Sequence, residues 1–342
     1  MPGSRSRLGI SRRALLAGSA AGAWLRAQET EAIAFDLSLL DDPAVHNELF
    51  FVRQHFPQPS GLSAAVWKIE VAGAVKTPSS VPLEALSRLP ERRLPATVEC
   101  AENPVGGGLV SHAEWTGHPL ASVLEAARVS DRATHVVLHG ADGFAHPIPL
   151  SKATHSDTLL VTGMNGEKLP PGHGFPIRAI IPGWYGMQSI KWLNKIEVLE
   201  GEPPARAYRR RTQSLLAGTR DDGAVGAGLV KAVFTRPLDG AILTQRGRFH
   251  VRGVAWAGEH SIARVELTAD GATWHTAQLD DKPQPYVWVR WSWMWTPAAP
   301  GIVELAVRAT DDAGNQQPRQ RTRTRMDPYE SNAWQSIRIT VS

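Results

Sequence analysis

The sequence contains only one cysteine, Cys100, among its 342 residues. A single thiol excludes an intramolecular disulfide, and it also excludes an iron–sulfur cluster bound within this chain, which needs several thiolates. No Cys-x-x-Cys-His segment is present, which excludes a covalently attached c-type haem. Because a lone thiol is open to oxidation in an oxidising compartment, we expect Cys100 to be buried or bound to a metal.

Acidic residues are missing from the first 27 positions, although Arg5, Arg7, Arg12, Arg13 and Arg26 all lie there. These arginines exceed the net charge of +4, so the rest of the chain is close to neutral and a nucleic-acid partner is not indicated. The apolar run that follows Arg13 has about 12 residues, whereas a membrane-spanning helix needs roughly 20. We therefore predict that residues 1–27 are a twin-arginine signal peptide and that the protein is exported to the periplasm. An ordinary export signal or an uncleaved anchor is the alternative.

The length predicts two domains, and the patterns change character along the chain. Residues 28–200 mix helix and strand patterns, which predicts an α+β domain. Residues 201–229 are rich in Gly, Pro, Ala and Arg, which predicts a linker. Residues 230–342 alternate apolar and polar positions in about seven short stretches, which is typical of an immunoglobulin-like sandwich. Helices are predicted at 82–86 and 119–127, and strands at 66–71, 135–139, 159–161, 177–181, 190–193, 196–199, 249–256, 264–268, 287–291 and 302–308.

We expect Cys100 to lie at the end of a strand, where the chain enters a loop that contains Gly106, Gly107 and Gly108. This position suits contact with a bulky ligand, and a thiolate is a soft ligand that a transition metal can use. The alternative is an inert buried cysteine that acts as a small apolar residue.

Several further segments accompany Cys100 in order along the chain. They are Phe-Val-Arg-Gln-His-Phe-Pro at 51–57, Ala-Glu-Trp-Thr-Gly at 113–117, Met-Asn-Gly at 164–166, His-Gly-Phe-Pro-Ile-Arg at 173–178, the glycine-containing stretch 183–193 and Asn-Ala-Trp at 332–334. Together with Cys100 they resemble the sulfite oxidase family of molybdopterin oxidoreductases from about residue 35 to the C-terminus. The resemblance implies a molybdopterin-binding domain followed by a dimerisation domain, and hence a homodimer.

The resemblance also implies a cofactor, molybdenum bound to molybdopterin, and a role for particular residues. Cys100 is the expected metal ligand, and Arg53, His55 and Tyr208 are the expected catalytic residues around it. Arginine and lysine suit the phosphate of the cofactor, while histidine and aspartate suit its polar ring edges. The residues expected to bind the cofactor are Phe51, Arg53, His55, Cys100, Asp142, His173, Arg178, Ser189, Ile190 and Lys191.

Two positions depart from the family pattern for sulfite oxidation. Arginine commonly follows the Cys-Ala-x-Asn segment, but Pro104 and Val105 stand here, and Asp327 stands where another arginine is usual. Arg325 or one of the arginines at 209–211 could replace the missing charge. Three functional hypotheses remain open: oxidation of sulfite or a related small anion, reduction of a sulfoxide or similar oxo compound, and a catalytically inactive cofactor-binding scaffold. For an enzyme without haem, we expect electrons to be exchanged with a separate partner such as a cytochrome.

Overall fold

The computed structural model describes residues 32–39, 44–203, 225–244, 247–321 and 328–342. The predicted signal peptide, Tyr208, the arginines at 209–211, Arg325 and Asp327 lie outside these ranges. Strands dominate the described residues, whose three α-helices are short: α1 (Leu83–Leu86), α2 (Leu120–Ala127) and α3 (Leu150–Ala153). Among the described helices, none has the length and apolar character needed to cross a membrane.

The first part of the described chain forms three sheets. A two-stranded sheet pairs β1 with β2, a second has the order β10-β9-β6-β5 with β11 also paired to β9, and a third has the order β4-β3-β12-β7-β8. All of these pairings are antiparallel except that of β3 with β12. The strands are β1 (Ala32–Ile33), β2 (Val52–Arg53), β3 (Lys68–Gly73), β4 (Ser79–Pro82), β5 (Arg92–Glu99), β6 (Val110–Pro119), β7 (Ala133–Gly140), β8 (Ala145–Pro149), β9 (Leu159–Met164), β10 (Glu167–Lys168), β11 (Arg178–Ile180) and β12 (Leu193–Glu200).

Helix α2 and strand β5 show why these segments adopt their structures. The buried residues of α2 are Leu120, Val123, Leu124 and Ala127, a helical spacing that gives one apolar face. The helix follows Pro119, and it stops at Arg128, whose φ of 53° lies in the left-handed region. In β5 the last four residues are buried and the strand ends at Glu99, so Cys100 lies directly after the buried end of this strand.

The described residues correct several predictions for this part of the chain. The predicted strand at 190–193 is wrong for residues 190–192, because the chain forms a loop there and Trp192 has a φ of 51°. The apolar residues of this loop are buried by contacts with residues far away in the sequence rather than by pairing within a sheet. The α+β description is met only in part, because helices are few and short and the domain consists mainly of strands.

The second part of the chain forms two sheets. One has the order β13-β15-β19-β18 and the other the order β14-β21-β20-β16-β17. Their apolar side chains share one core, in which Val251 and Trp291 of the first sheet meet Val265 and Ile337 of the second. The strands are β13 (Lys231–Arg236), β14 (Ile242–Leu243), β15 (Phe249–Trp256), β16 (Ile262–Thr268), β17 (His275–Thr276), β18 (Gln278–Leu279), β19 (Val289–Trp295), β20 (Gly301–Asp311) and β21 (Gln335–Val341).

The two parts of the chain pack directly against each other. One apolar cluster contains Ala96 and Trp115 of the first part together with Val254 and Trp288 of the second. Of the predicted linker, residues 204–224 lie outside the described ranges. Residues 225–229 contact the first part of the chain. There Gln188 donates a hydrogen bond from Nε2 to the carbonyl of Val225 at 2.6 Å. The last residues of the predicted linker are therefore anchored to the loop that follows β11.

Candidate active site

A pocket that is partly open to solvent lies beside the end of β5, the residues that follow β2 and the loop between β11 and β12. The residues that were expected to bind a cofactor all line this pocket: Phe51, Arg53, His55, Cys100, Asp142, His173, Arg178, Ser189, Ile190 and Lys191. Patterns that are far apart in the sequence thus meet at one surface.

Cys100 presents its thiol at this pocket from a tight turn. Its backbone N–H donates to the carbonyl of Leu109 at 2.9 Å, and its own carbonyl accepts a hydrogen bond from Asn103 N at 2.9 Å. Burial raises the pKa of the thiol to about 11, against the lowering effect of a hydrogen bond from the backbone N–H of Glu102. Without a metal the sulfur is therefore protonated at neutral pH, and binding of a metal would release that proton.

Arg53 and His55 enter the pocket from β2 and the residues after it. The His55 ring stacks on Phe144 with 5.0 Å between ring centroids. Burial and then the charge of Arg53 lower the pKa of His55, while Glu102 opposes this shift, so the imidazole is neutral near pH 7. Arg53 donates from Nε and Nη2 to the same oxygen of Glu102, Oε2, at 3.0 and 2.7 Å.

Arg178 is held in position by backbone carbonyls of the loops that surround it. Its Nη1 donates to the carbonyl of His173 at 3.1 Å, and its Nη2 donates to that of Ser189 at 2.9 Å. The guanidinium also lies 5.2 Å from the ring centroid of Trp115, a distance that allows a cation–π interaction. Burial lowers the pKa of Arg178 to about 9, which still leaves it a cation at neutral pH.

His173 and Ser189 are positioned by contacts of the same kind. The His173 ring lies 3.0 Å from the carbonyl of Asn47 through Nε2, which favours the tautomer that has its proton on this nitrogen. Burial, and then the charge of Arg178, lower the pKa of His173 to about 4, so this ring is neutral. The Ser189 hydroxyl oxygen accepts a hydrogen bond from Ile181 N at 3.0 Å.

Lys191 and Asp142 occupy the wall formed by the β12 loop and the turn after β7. Lys191 donates from Nζ to Gln54 Oε1 at 3.1 Å and to the carbonyl of Gly172 at 3.0 Å. Asp142 accepts a hydrogen bond from Phe144 N at 3.0 Å, so the predicted turn holds its carboxylate at the pocket. A side chain at Gly140 would put Cβ 2.6 Å from Asp142 Oδ1, so this close approach requires glycine.

Sequence reasoning missed other residues of the site. Gln54, Phe144 and Met187 line the pocket, and Glu102 pairs with Arg53 beside it. Gln54 lies between two predicted residues and Glu102 lies two positions after Cys100, so proximity in the sequence was an available signal for both. Met187 lies two positions before Ser189, within the stretch 183–193, and Phe144 lies two positions after Asp142, so the same signal was available there.

The residues of the pocket fit a metal held by an anionic organic chelate. Within the described residues, no group of three or more His, Cys, Asp or Glu side chains could hold a metal ion. A metal beside Cys100 would therefore need most of its ligands from another group. The pocket offers one thiol, three cationic side chains, a carboxylate and aromatic walls. These match a sulfur-containing chelate with a phosphate and polar ring edges.

Comparisons with known proteins agree with this chemistry. The family model described as the oxidoreductase molybdopterin binding domain matches residues 55–207, and the Mo-co oxidoreductase dimerisation domain matches residues 227–342. Sulfite oxidase of Gallus gallus is 31% identical over 312 residues, which cover 80% of this chain and 67% of that protein. Mitochondrial sulfite oxidase of Drosophila melanogaster is 32% identical over 320 residues, covering 80% of this chain and 55% of that protein.

The chain spans 55% of the length of the Drosophila protein and 61% of that of the mouse mitochondrial sulfite oxidase. The fold is shared with the sulfane dehydrogenase SoxCD from Paracoccus pantotrophus, with a TM-score of 0.82 and 24% identity over 97% of this chain and 92% of that chain. The chain therefore belongs to the sulfite oxidase family of molybdopterin oxidoreductases, whose cofactor is the molybdenum–molybdopterin group.

Proposed function

We propose that this protein is a molybdenum-dependent oxidoreductase that transfers an oxygen atom to or from a small sulfur-containing or related oxo substrate. One observation carries the proposal: the Cys100 thiol and the nine other expected cofactor residues surround a single pocket. A binding scaffold would not require a thiol in that place. Family membership supports the same class of reaction.

In this proposal Cys100 is the protein ligand of the metal, and other residues of the pocket hold the organic part of the cofactor. Arg178 and Lys191 bind the phosphate, and their contacts with backbone carbonyls keep both cations in place before binding. Asp142 and His173 hydrogen-bond to the polar edges of the ring system. When bound, the cofactor supplies two-electron oxygen-atom transfer.

The substrate side of the pocket, the substrate chamber, is lined by Arg53 and His55. The third expected catalytic residue, Tyr208, lies outside the described residues. The neutral His55 ring can accept a proton at the substrate through one nitrogen and donate a hydrogen bond from the other, and its stacking on Phe144 restricts the ring to one plane. Phe50, Phe51 and Met187 give this chamber an apolar wall that limits the access of water.

The remaining parts of the proposal concern partners, location and domain structure. Electrons pass to or from a separate redox protein such as a cytochrome, because this chain has no haem-attachment motif and no cysteines for a cluster. Residues 230–342 form an immunoglobulin-like sandwich that makes a homodimer, which the matched dimerisation domain supports. Residues 1–27 direct twin-arginine export to the periplasm, as their arginine pattern suggests.

Replacing Cys100 with serine tests the metal-ligand role. Replacing a residue that only supports a metal ligand typically lowers metal affinity or activity about 10- to 100-fold. Because Cys100 is the proposed ligand itself, we expect Cys100→Ser to lower dye-linked turnover by roughly 100-fold or more. The fold should persist, because the change is nearly isosteric. Both proteins should come from a host that makes the cofactor, with turnover tested on sulfite, thiosulfate and sulfoxides in both redox directions.

The matched control is Met187→Leu, which removes the other sulfur atom of the pocket wall but no proposed ligand. This variant should keep its molybdenum content and most of its turnover. Unchanged turnover in Cys100→Ser would contradict the proposed role of the cysteine. Wild-type protein that contains no molybdenum when purified from such a host would favour the inactive scaffold instead.

A further inference from the structure

The pair of Glu102 with Arg53 places a negative charge beside the proposed substrate chamber. Arg53 lines the pocket, and both of its hydrogen bonds to Glu102 leave from the Nε–Nη2 edge of the guanidinium. This is an edge with which arginine grips carboxylates and other oxyanions. The two side chains are 17% and 27% exposed, so water only partly screens the pair. Arg53 is thus already bound to an anion that belongs to the protein itself.

The position of Glu102 is set by the turn that presents Cys100. The hydrogen bond from Asn103 N to the Cys100 carbonyl closes a turn with Glu102 inside it, and the backbone N–H of Glu102 contacts the Cys100 sulfur. The charge of Glu102 raises the pKa of both Cys100 and His55, whereas that of Arg53 lowers both. The two charges therefore oppose each other at the thiol and at the imidazole.

The other cations of the pocket wall do not replace the neutralised charge. Within the described residues the wall contains Arg53, Arg178 and Lys191 as its only arginine and lysine side chains. Arg178 and Lys191 belong to the wall assigned above to the cofactor phosphate. Near Cys100 the chain has Pro104 and Val105 instead of further cations. The apolar wall of the substrate chamber, formed by Phe50, Phe51 and Met187, adds no charge. Among the described residues of the wall, Arg53 is then the only cation that is not assigned to the phosphate, and a dianion bound there would share it with the Glu102 carboxylate.

We propose that Glu102 is a specificity-determining residue: by occupying Arg53 it disfavours dianions such as sulfite and thiosulfate and favours substrates whose reacting group is uncharged, such as a sulfoxide. This inference rests on the proposed function, because it assumes that substrate reaches the chamber beside Cys100. It does not depend on the direction in which electrons flow. The effect comes from charge, so a neutral side chain of the same shape should reverse it.

Glu102→Gln tests this directly, because it keeps the size of the side chain and removes its charge. In this variant Arg53 no longer pairs with a carboxylate and can bind an anionic ligand. Inorganic sulfate should therefore bind to the molybdenum-loaded variant roughly tenfold to a hundredfold more tightly than to the wild type, as expected for a charge-assisted contact. The dissociation constant is measured by calorimetry at constant ionic strength. For sulfite, KM should fall by a similar factor, whereas KM for an uncharged sulfoxide should change less than about threefold.

Glu114→Gln is the matched control, because Glu114 also faces an arginine, Arg93, at 3.9 Å but lies on the exposed surface. Its sulfate affinity should equal that of the wild type. A second variant, Glu102→Ala, keeps the test decisive if the glutamine variant does not fold, and it should tighten sulfate binding in the same direction.

The role of Glu102 and the oxidoreductase function of the protein are tested by different measurements. If sulfate binds no more tightly to either Glu102 variant than to the wild type, the specificity inference is wrong, whatever the turnover. If sulfate binding tightens but the loaded wild-type protein oxidises or reduces none of the substrates, the effect of Glu102 on anion binding is confirmed, whereas the proposed function, and with it the role of Glu102 in substrate choice, is wrong.

Discussion

The buried ion pair between Glu99 and Lys231 joins the two parts of the chain next to the candidate metal ligand. Lys231 Nζ lies 2.5 Å from Glu99 Oε1, and the two side chains are only 1% and 5% exposed. Glu99 also accepts hydrogen bonds from Trp256 Nε1 at 2.9 Å and from Asn103 Nδ2 at 3.1 Å. Since Glu99 directly precedes Cys100, this network anchors the Cys100 turn to β13 and β15 of the second part.

Replacing Lys231 with methionine would leave a buried carboxylate without its cation. Removing one partner of such a pair typically costs about 3–5 kcal/mol, because the remaining charge is desolvated and uncompensated. Two of the hydrogen bonds to Glu99 survive in the variant, so we expect the lower part of this range, about 3 kcal/mol. The loss is measured as the free energy of unfolding in urea.

The double variant Glu99→Gln/Lys231→Met removes both charges and should recover most of this loss, since a neutral buried pair has no uncompensated charge. Lys195→Met is the control, because Lys195 is 30% exposed and its contacts with Glu70 and Glu197 are 3.7 and 3.5 Å long. It should cost less than about 1 kcal/mol. The reasoning would be refuted if Lys231→Met cost no more than this control, or if the double variant were as unstable as Lys231→Met.

Two further predictions concern pH and the shape of the pocket. Burial lowers the pKa of His112 and of His173 from 6.5 to about 4, so the unfolded chain binds more protons between these values. The free energy of unfolding should therefore fall as the pH decreases from 6.5 towards 4, by on the order of 3 kcal/mol per histidine. Urea unfolding of His112→Gln should show a smaller loss over this pH range than the wild type. An unchanged pH dependence in this variant would contradict the explanation. Gly174→Ala should lower the molybdenum content of purified protein, because φ is +107° and a Cβ would lie 2.9 Å from Arg178 Cβ. Gly172→Ala, whose Cβ would meet only Gln58 Oε1 at 3.8 Å, should retain the metal, and equal retention in the two variants would count against the explanation.

Local patterns predicted those elements that depend on their own periodicity. The helix at 119–127 and the strand at 249–256 appear almost as predicted, because each has one apolar face that must be buried. The strand predicted at 190–193 was wrong for residues 190–192, because an apolar run does not show whether a strand or a loop is buried. Here the run belongs to a loop beside the pocket, in which Ile190 and Trp192 are both at most 2% exposed.

The chemistry available to the site can be predicted from the residues alone: one thiol, the ordered motifs around it, and the absence of cysteines for any other metal centre. Which charges pair depends on how the chain folds. Arg53 and Glu102 are 49 positions apart and Glu99 and Lys231 are 132 apart. No periodic pattern relates such residues, because their distance is set by how strands of different sheets pack. For that reason Arg53 could be identified from its motif and Glu102 lay close to Cys100 in the sequence, but the pairing of these two residues could not be predicted.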